Sequence, residues 1–150
     1  MPKRVLLPVL AVILLAATGC SAEPDTVVLD DETQEWADAL SESLPESRLG
    51  SGSGVADGAE STIALGYDDD PRTVESVWAA CEEDAGVEVT FTWTAHSASE
   101  GSEGATETIE CTGQIARLES SREIPDVREI VLSATADTPT GFLIAAVGAE

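Results

Sequence analysis

The segment Val87-Glu88-Val89-Thr90-Phe91-Thr92-Trp93-Thr94 alternates apolar and polar residues without a break. A period of two puts Val87, Val89, Phe91 and Trp93 on one face and Glu88 with the threonines on the other, the pattern of a half-buried strand. A helix would scatter the same apolar residues around its circumference. Ile63, Leu65 and Tyr67 alternate in the same way, as do Ile130, Leu132, Ala134 and Ala136, while Ile109 and Cys111 share a face in a further short strand. Beyond the turn residues Thr138-Pro139-Thr140-Gly141, Phe142 to Val147 is an apolar run without alternation, as expected of a strand covered on both faces. Short strands with turn residues between them predict a mainly β chain, an antiparallel β-sandwich over residues 59–150.

The beginning of the chain has a different character. Lys3 and Arg4 precede an apolar run from Val5 to Ala17 interrupted only by Pro8, and Thr18 and Gly19 lead into Cys20. The run is shorter than the ~20 residues a membrane-crossing helix needs, and it suits the apolar region of a secretory signal. Ala17-Thr18-Gly19-Cys20 resembles the lipobox of bacterial lipoproteins. The resemblance implies cleavage before Cys20, with diacylglycerol on its sulfur, a signal peptide over 1–19 and a stalk over 20–31. It places the protein on the outer face of the cytoplasmic membrane, held by its acyl chains. The alternative is an ordinary secretory leader cut after Ala22, which would discard the thiol.

Without residues 1–19 the chain keeps five Arg against 29 Asp and Glu, a formal charge of −24. That excludes nucleic acid as a partner, since nothing here could neutralise a run of phosphates. It also excludes lying flat on anionic lipid. No lysine follows Lys3 and no asparagine occurs at all, so Schiff-base chemistry in the mature chain and N-glycosylation are excluded too. With Cys20 assigned to lipid, Cys81 and Cys111 remain as an even pair in an exported protein, where a disulfide is the default. The Ala-, Gly- and acid-rich, Lys- and Asn-poor composition resembles small lipoproteins of high-GC actinobacteria. In those, extracytoplasmic sandwich modules carry one disulfide that pins two strands.

Asp31, with Gln34 three residues on, reads as the cap of a short amphipathic helix over about 32–44. Its apolar stripe is Trp36, Leu40 and Leu44, and Pro45 stops it within a helical segment spanning 32–48. The stripe either packs on the main domain or docks a partner. Leu49 to Gly58 reads as a flexible Gly/Ser linker over 49–58 and as the domain boundary. Residues 73–82 fit two patterns. Val74, Val77, Trp78 and Cys81 have helical spacing after Asp70-Pro71, whereas Val77, Ala79 and Cys81 alternate ahead of a hairpin turn. The strand is preferred because it sets Cys81 near the sheet that carries Cys111.

Few residues offer chemistry. His96, the only histidine, opens a polar loop read over Ala95 to Thr106, where serines and acids are plentiful enough for a small hydrolase. No Gly-x-Ser-x-Gly holds a nucleophile, and a solvated histidine is the plainer reading. Asp68, Asp69 and Asp70 could hold Ca²⁺, but consecutive residues point different ways and a solvated turn is the simpler account. Trp78 and Trp93 could stack on a sugar, although both belong to hydrophobic patterns that assign them to the core. Arg117, Arg122 and Arg128 alternate with acids and read as a self-neutralising surface. No glycine-rich phosphate loop or metal-spaced cysteine set occurs, and no cofactor is expected. The resulting expectation is a non-catalytic, lipid-anchored binding or scaffolding module at the cell envelope. Its partner would be an envelope protein or the wall. The alternatives are a wall-polymer or sugar binder, or a hydrolase centred on His96.

Overall fold

The computed structural model describes residues 29–149, so the leader, Cys20 and residues 20–28 of the stalk lie outside the described residues. One helix, α1 (Asp31–Ser41), precedes eight strands: β1 (Arg48–Ala56), β2 (Ser61–Gly66), β3 (Arg72–Cys81), β4 (Glu88–Ser97), β5 (Gly101–Glu110), β6 (Ala116–Arg117), β7 (Ile124–Thr135) and β8 (Thr140–Gly148). Every strand pairing is antiparallel. Hydrogen bonding runs in the order β1-β8-β3-β7-β4-β5, with β2 also on β7 and β6 also on β3.

The path folds over at β7. Its first residues pair with β3, Ile124 opposite Val74, and its remainder lies between β2 and β4. At the bend Asp126 takes φ 53°, a left-handed conformation that Asp tolerates better than most residues. The ladders to β3 and β4 both shift register there. One half-sheet is then β1-β8-β3-β6 and the other β2-β7-β4-β5, with the core between them. Phe142, Ile144 and Val77 from the first meet Phe91, Ile130 and Leu132 from the second. Phe91 and Phe142 meet edge to face with ring centroids 6.2 Å apart.

The alternation of β4 is realised as expected: Val89, Phe91, Trp93 and Ala95 are buried, and Thr90, Thr92 and Thr94 point outward. Residues 73–82 form the strand β3, with Val77, Ala79 and Cys81 turned into the core. Cys81 and Cys111 form a disulfide with Cα atoms 5.0 Å apart. In the loop-entropy account, closing its 30-residue separation restricts the unfolded chain by about 3.5 kcal/mol. β8 is buried throughout, as its unalternating run requires. One face joins the main core. Leu143 and Ala145 on the other are covered by Leu44, Trp36 and Leu40, with Ala80, Trp78 and Ile115 alongside. The helix stripe therefore packs on the domain.

Four sequence expectations are corrected. The cap is Asp30 rather than Asp31, its Oδ1 accepting from the Thr33 N–H at 2.8 Å, and Gln34 donates to Asp38 instead of closing a capping box. The helix ends at Ser41, and Leu44 is buried beyond it in the following turn. Residues 49–58 are not a linker or a boundary, because Arg48–Ala56 is strand β1, paired with β8 along its length. Its glycines face inward because side chains of β2, and at Gly54 Phe142 of β8, occupy the space their own would fill. A Cβ on Gly50 would lie 2.8 Å from Leu65 Cδ1, one on Gly54 2.9 Å from Phe142 Cε1, and one on Gly52 would overlap Ile63 Cδ1. The polar stretch after Ala95 is not a loop either. β4 runs on to Ser97, a tight turn follows, and β5 returns over the full ladder from Ser97–Gly101 to Glu88–Glu110.

β5 was concealed because its inward positions are Glu103 and Glu107 beside Ala105 and Ile109. Glu107 accepts from the N–H groups of Ser120 (3.0 Å) and Glu119 (3.3 Å), and Glu103 pairs with Arg122. Inward charges of this kind guard an edge strand against pairing with another chain. Burial on its own would raise the Glu107 pKa, but the Ser120 backbone and hydroxyl and the Glu119 N–H outweigh it and hold the carboxyl below the ordinary glutamate range.

The glycine packing gives a sharp test. Gly52→Ala should lower unfolding stability in urea by about 1–3 kcal/mol through overpacking against Ile63. Ser53→Ala, on the outer side of the same strand, should change it by no more than about 0.5 kcal/mol. Equal tolerance of both would mean a slack segment. A second test follows from Glu107. Because its folded pKa is depressed, its stabilisation is present above the unfolded pKa and lost as pH falls through the folded value. Glu107→Gln should therefore flatten the acid limb of the stability curve, measured by urea unfolding at a series of pH values, and a curve parallel to the parent's would refute the assignment.

Candidate binding cleft

Glu82 follows directly on the buried Cys81 at the end of β3, and Gly141 lies across from it on β8. The Glu82 N–H donates to the Gly141 carbonyl at 2.9 Å, and the Gly141 N–H returns a bond to Glu82 Oε2 at 3.2 Å. Glu82 Oε1 accepts from the Thr33 hydroxyl at 3.0 Å. One carboxylate thus ties the first turn of α1 to two strands. A Cβ on Gly141 would collide with this carboxylate, which explains a glycine near the start of a buried strand.

The tie brings the start of α1 against the turns that follow β3 and precede β8. Between them opens a cleft of about 450 Å³ lined by Trp36, Pro139 and the carboxylates of Asp30, Glu32, Glu82, Glu83 and Asp84. Trp36 has one side against the helix cluster and is otherwise half-exposed toward the cleft. Asp30 is held below the ordinary aspartate range, chiefly by the Thr33 N–H. Asp30 and Glu82 are occupied in holding the fold together. Glu32, Glu83 and Asp84 have no ion-pair partner among the described residues. Carboxylates around an aromatic face suit an ammonium or guanidinium group, which gains charge-assisted hydrogen bonds and the attraction of the indole ring.

The residues singled out in the sequence are distributed elsewhere. Cys20 lies outside the described residues. Trp93 is 3% exposed in the core, its Nε1 donating to Ser120 Oγ at 3.3 Å. Trp78, half-buried, packs beside α1 and donates to Ser76 Oγ at 3.0 Å. Asp68, Asp69 and Asp70 form the exposed turn between β2 and β3, where Asp70 pairs with Arg72 at 2.8 Å. Among the described residues no group of three or more His, Cys, Asp or Glu is arranged to hold a metal ion.

His96 stands on the outer face of β4, its Nδ1 2.7 Å from Ser102 Oγ on β5 and its Nε2 3.8 Å from Glu129 Oε2 on β7. A serine and an acid do flank it. The three side chains lie on an open sheet face, where nothing walls off water around a bound ester. Of the three arginines read as a self-neutralising surface, Arg122 pairs with Glu103 and, at 3.9 Å, with Glu100. In the sequence Trp36 reads only as part of the helix stripe, and Glu82-Glu83-Asp84 as a weaker version of the Asp68 to Asp70 carboxylate run at a hairpin turn. The usable signal was the shared acidity of the helix start and of Glu82-Glu83-Asp84, which a hairpin after β3 can bring together.

No family model matches the chain, and no curated protein matches it either. Among solved structures, it is similar to the crystal structure of a mitogen derived from Yersinia pseudotuberculosis. The identity is 11% and the TM-score 0.43, with 67% of this chain and 86% of that one covered. It is similar also to the crystal structure of PirA, at 10% identity and TM-score 0.41, covering 65% of this chain and 92% of that one.

Proposed function

We propose that this protein is a non-catalytic binding module tethered by lipid on Cys20 to the outer face of the cytoplasmic membrane. Its cleft beside α1 takes a cationic group of an envelope protein or wall peptide. The observation that carries the reading is the cleft itself, a concavity in which unpaired carboxylates surround the free side of Trp36. The leader supports the tether: an apolar run too short to span a membrane ends in small residues and a cysteine. The acidic charge of the chain supports the partner's sign, since it accelerates encounter with cations and repels anionic surfaces.

Two acyl chains suffice for stable anchoring, at about 0.8 kcal/mol for each buried methylene. The domain then works within reach of the membrane without lying on it.

The full chain in detergent should bind an oligolysine peptide, with quenching or a shift of Trp fluorescence and an affinity that falls as salt rises. Glu83→Gln with Asp84→Asn should weaken that binding about tenfold, from two lost charge-assisted contacts. Trp36→Phe should remove most of the fluorescence response. Binding of equal strength in the Glu83/Asp84 variant would place the cation elsewhere and overturn the assignment. Mass spectrometry of the protein taken from membranes tests the tether separately. A diacylated N-terminal Cys20 is expected, and an unmodified terminus beyond it refutes the anchor.

A further inference from the structure

The two edge strands on one side of the sandwich, β1 and β2, lack the usual protections of an edge. Neither Leu49 to Ala56 nor Ser61 to Gly66 contains a charged residue or a proline, in a chain with 29 acids. β5, at the other end of the hydrogen-bonded path, has inward glutamates and the segment from β6 to β7 closed over it. On β1 the exposed backbone groups can be identified. Gly141 turns both its N–H and its C=O toward Glu82 on the β3 side, so Val55, opposite it in the ladder, turns its own groups away from β8. The Val55 carbonyl accordingly accepts from the Ser61 hydroxyl at 2.9 Å. By the same alternation Ser53 and Ser51, opposite Leu143 and Ala145, present N–H and C=O to the open edge. Among the described residues no strand pairs with them there, and a notch of about 400 Å³ bordered by Ser53, Val55 and Thr62 lies beside them.

We propose that this edge pairs with the same edge of a second copy of the chain, β1 antiparallel to β1 about a two-fold axis at Gly52. The strand is complementary to itself in that register. Ser51 falls opposite Ser53 of the second copy and Ser53 opposite its Ser51, and residues whose groups face the edge exchange both N–H···O bonds when paired so. The inward positions Gly50, Gly52 and Gly54 put no side chain between the two copies. Charge completes the match. Arg48, exposed at one end of β1, comes alongside Asp57 of the second copy, exposed just past the other end, and the symmetry repeats the contact. Neither residue has an ion-pair partner among the described residues, and the Arg48 Nη1 donates to the Ser41 carbonyl at 2.8 Å, which holds the guanidinium at the end of the strand. The acidity of the chain opposes the approach of two copies, but salt screens that repulsion beyond about 8 Å under physiological conditions. Along the ladder itself no acid faces an acid. The pairing uses none of the residues that line the α1 cleft.

The experiment is sedimentation velocity of the full chain in physiological salt and detergent, with micelles in excess over protein. A dimer whose population rises with protein concentration is expected. Ser53→Pro removes an edge-facing N–H without touching a bond to β8 and should abolish it. Arg48→Glu should weaken association about tenfold by setting like charges together at both ends. Adding Asp57→Arg to that variant should restore it, which a merely structural role for Arg48 would not produce. Trp36→Phe should leave association unchanged. Disulfide trapping tests the register: Ser51→Cys mixed with Ser53→Cys should give a covalent dimer that neither variant gives alone. Should Ser53→Pro lose its far-UV circular dichroism, Arg48→Glu and its reversal decide. The proposal is overturned if the parent chain stays monomeric at every concentration, if Arg48→Glu dimerises as the parent does, or if the cysteine mixture traps nothing.

Discussion

Strand β8 has no face left for water, and most of the architecture follows from covering it. Its inward side chains Phe142, Ile144 and Ala146 belong to the core between the half-sheets, so Leu143 and Ala145 need a second cover. Helix α1 supplies it with Trp36 and Leu40, and the turn after it adds Leu44. A helix of 11 residues is marginal by itself in water. It is held by this burial, by the Asp30 cap and by the Thr33–Glu82 bond. The cleft is a consequence of that docking: the acidic start of α1 is brought to the acidic turn after β3 because both must reach the same end of β8.

The opposite half-sheet is secured by a different device. β5 is an edge strand, and the segment from β6 to the start of β7 closes over its inward side through Ser120, Glu119 and Arg122. Cys111, just past β5, is bonded to Cys81 at the end of β3, so the covalent link joins the two half-sheets where their hydrogen-bonded path does not. Leu118, 1% exposed, and Trp93, bonded to Ser120, show that the closing segment is also part of the core.

What could be read in the sequence was whatever writes its burial in its own side chains. β4, β7 and β8 do so, and their alternation or lack of it was sufficient; the disulfide is what the cysteine count implies once the start of the chain is read as an export signal. β1 and β5 do not. The inward positions of β1 are glycines because the apolar volume over them comes from Ile63, Leu65 and Phe142 of other strands, so its sequence reads as a linker. The inward positions of β5 include two glutamates whose partners lie more than ten residues downstream, so it reads as a polar loop. The site was hidden for the same reason. Trp36 belongs equally to the helix stripe and to the cleft, and only the position of Glu82 across from Gly141 decides which of its sides is open.

The placement of charge connects the fold to its surfaces. A chain this acidic repels itself when compact, and here the carboxylates of the outer sheet face are confined to its ends while others gather at the α1 cleft. Between those ends Thr90 pairs with Thr108 and Thr92 with Thr106 across β4 and β5, as strand propensity and the cost of facing like charges favour.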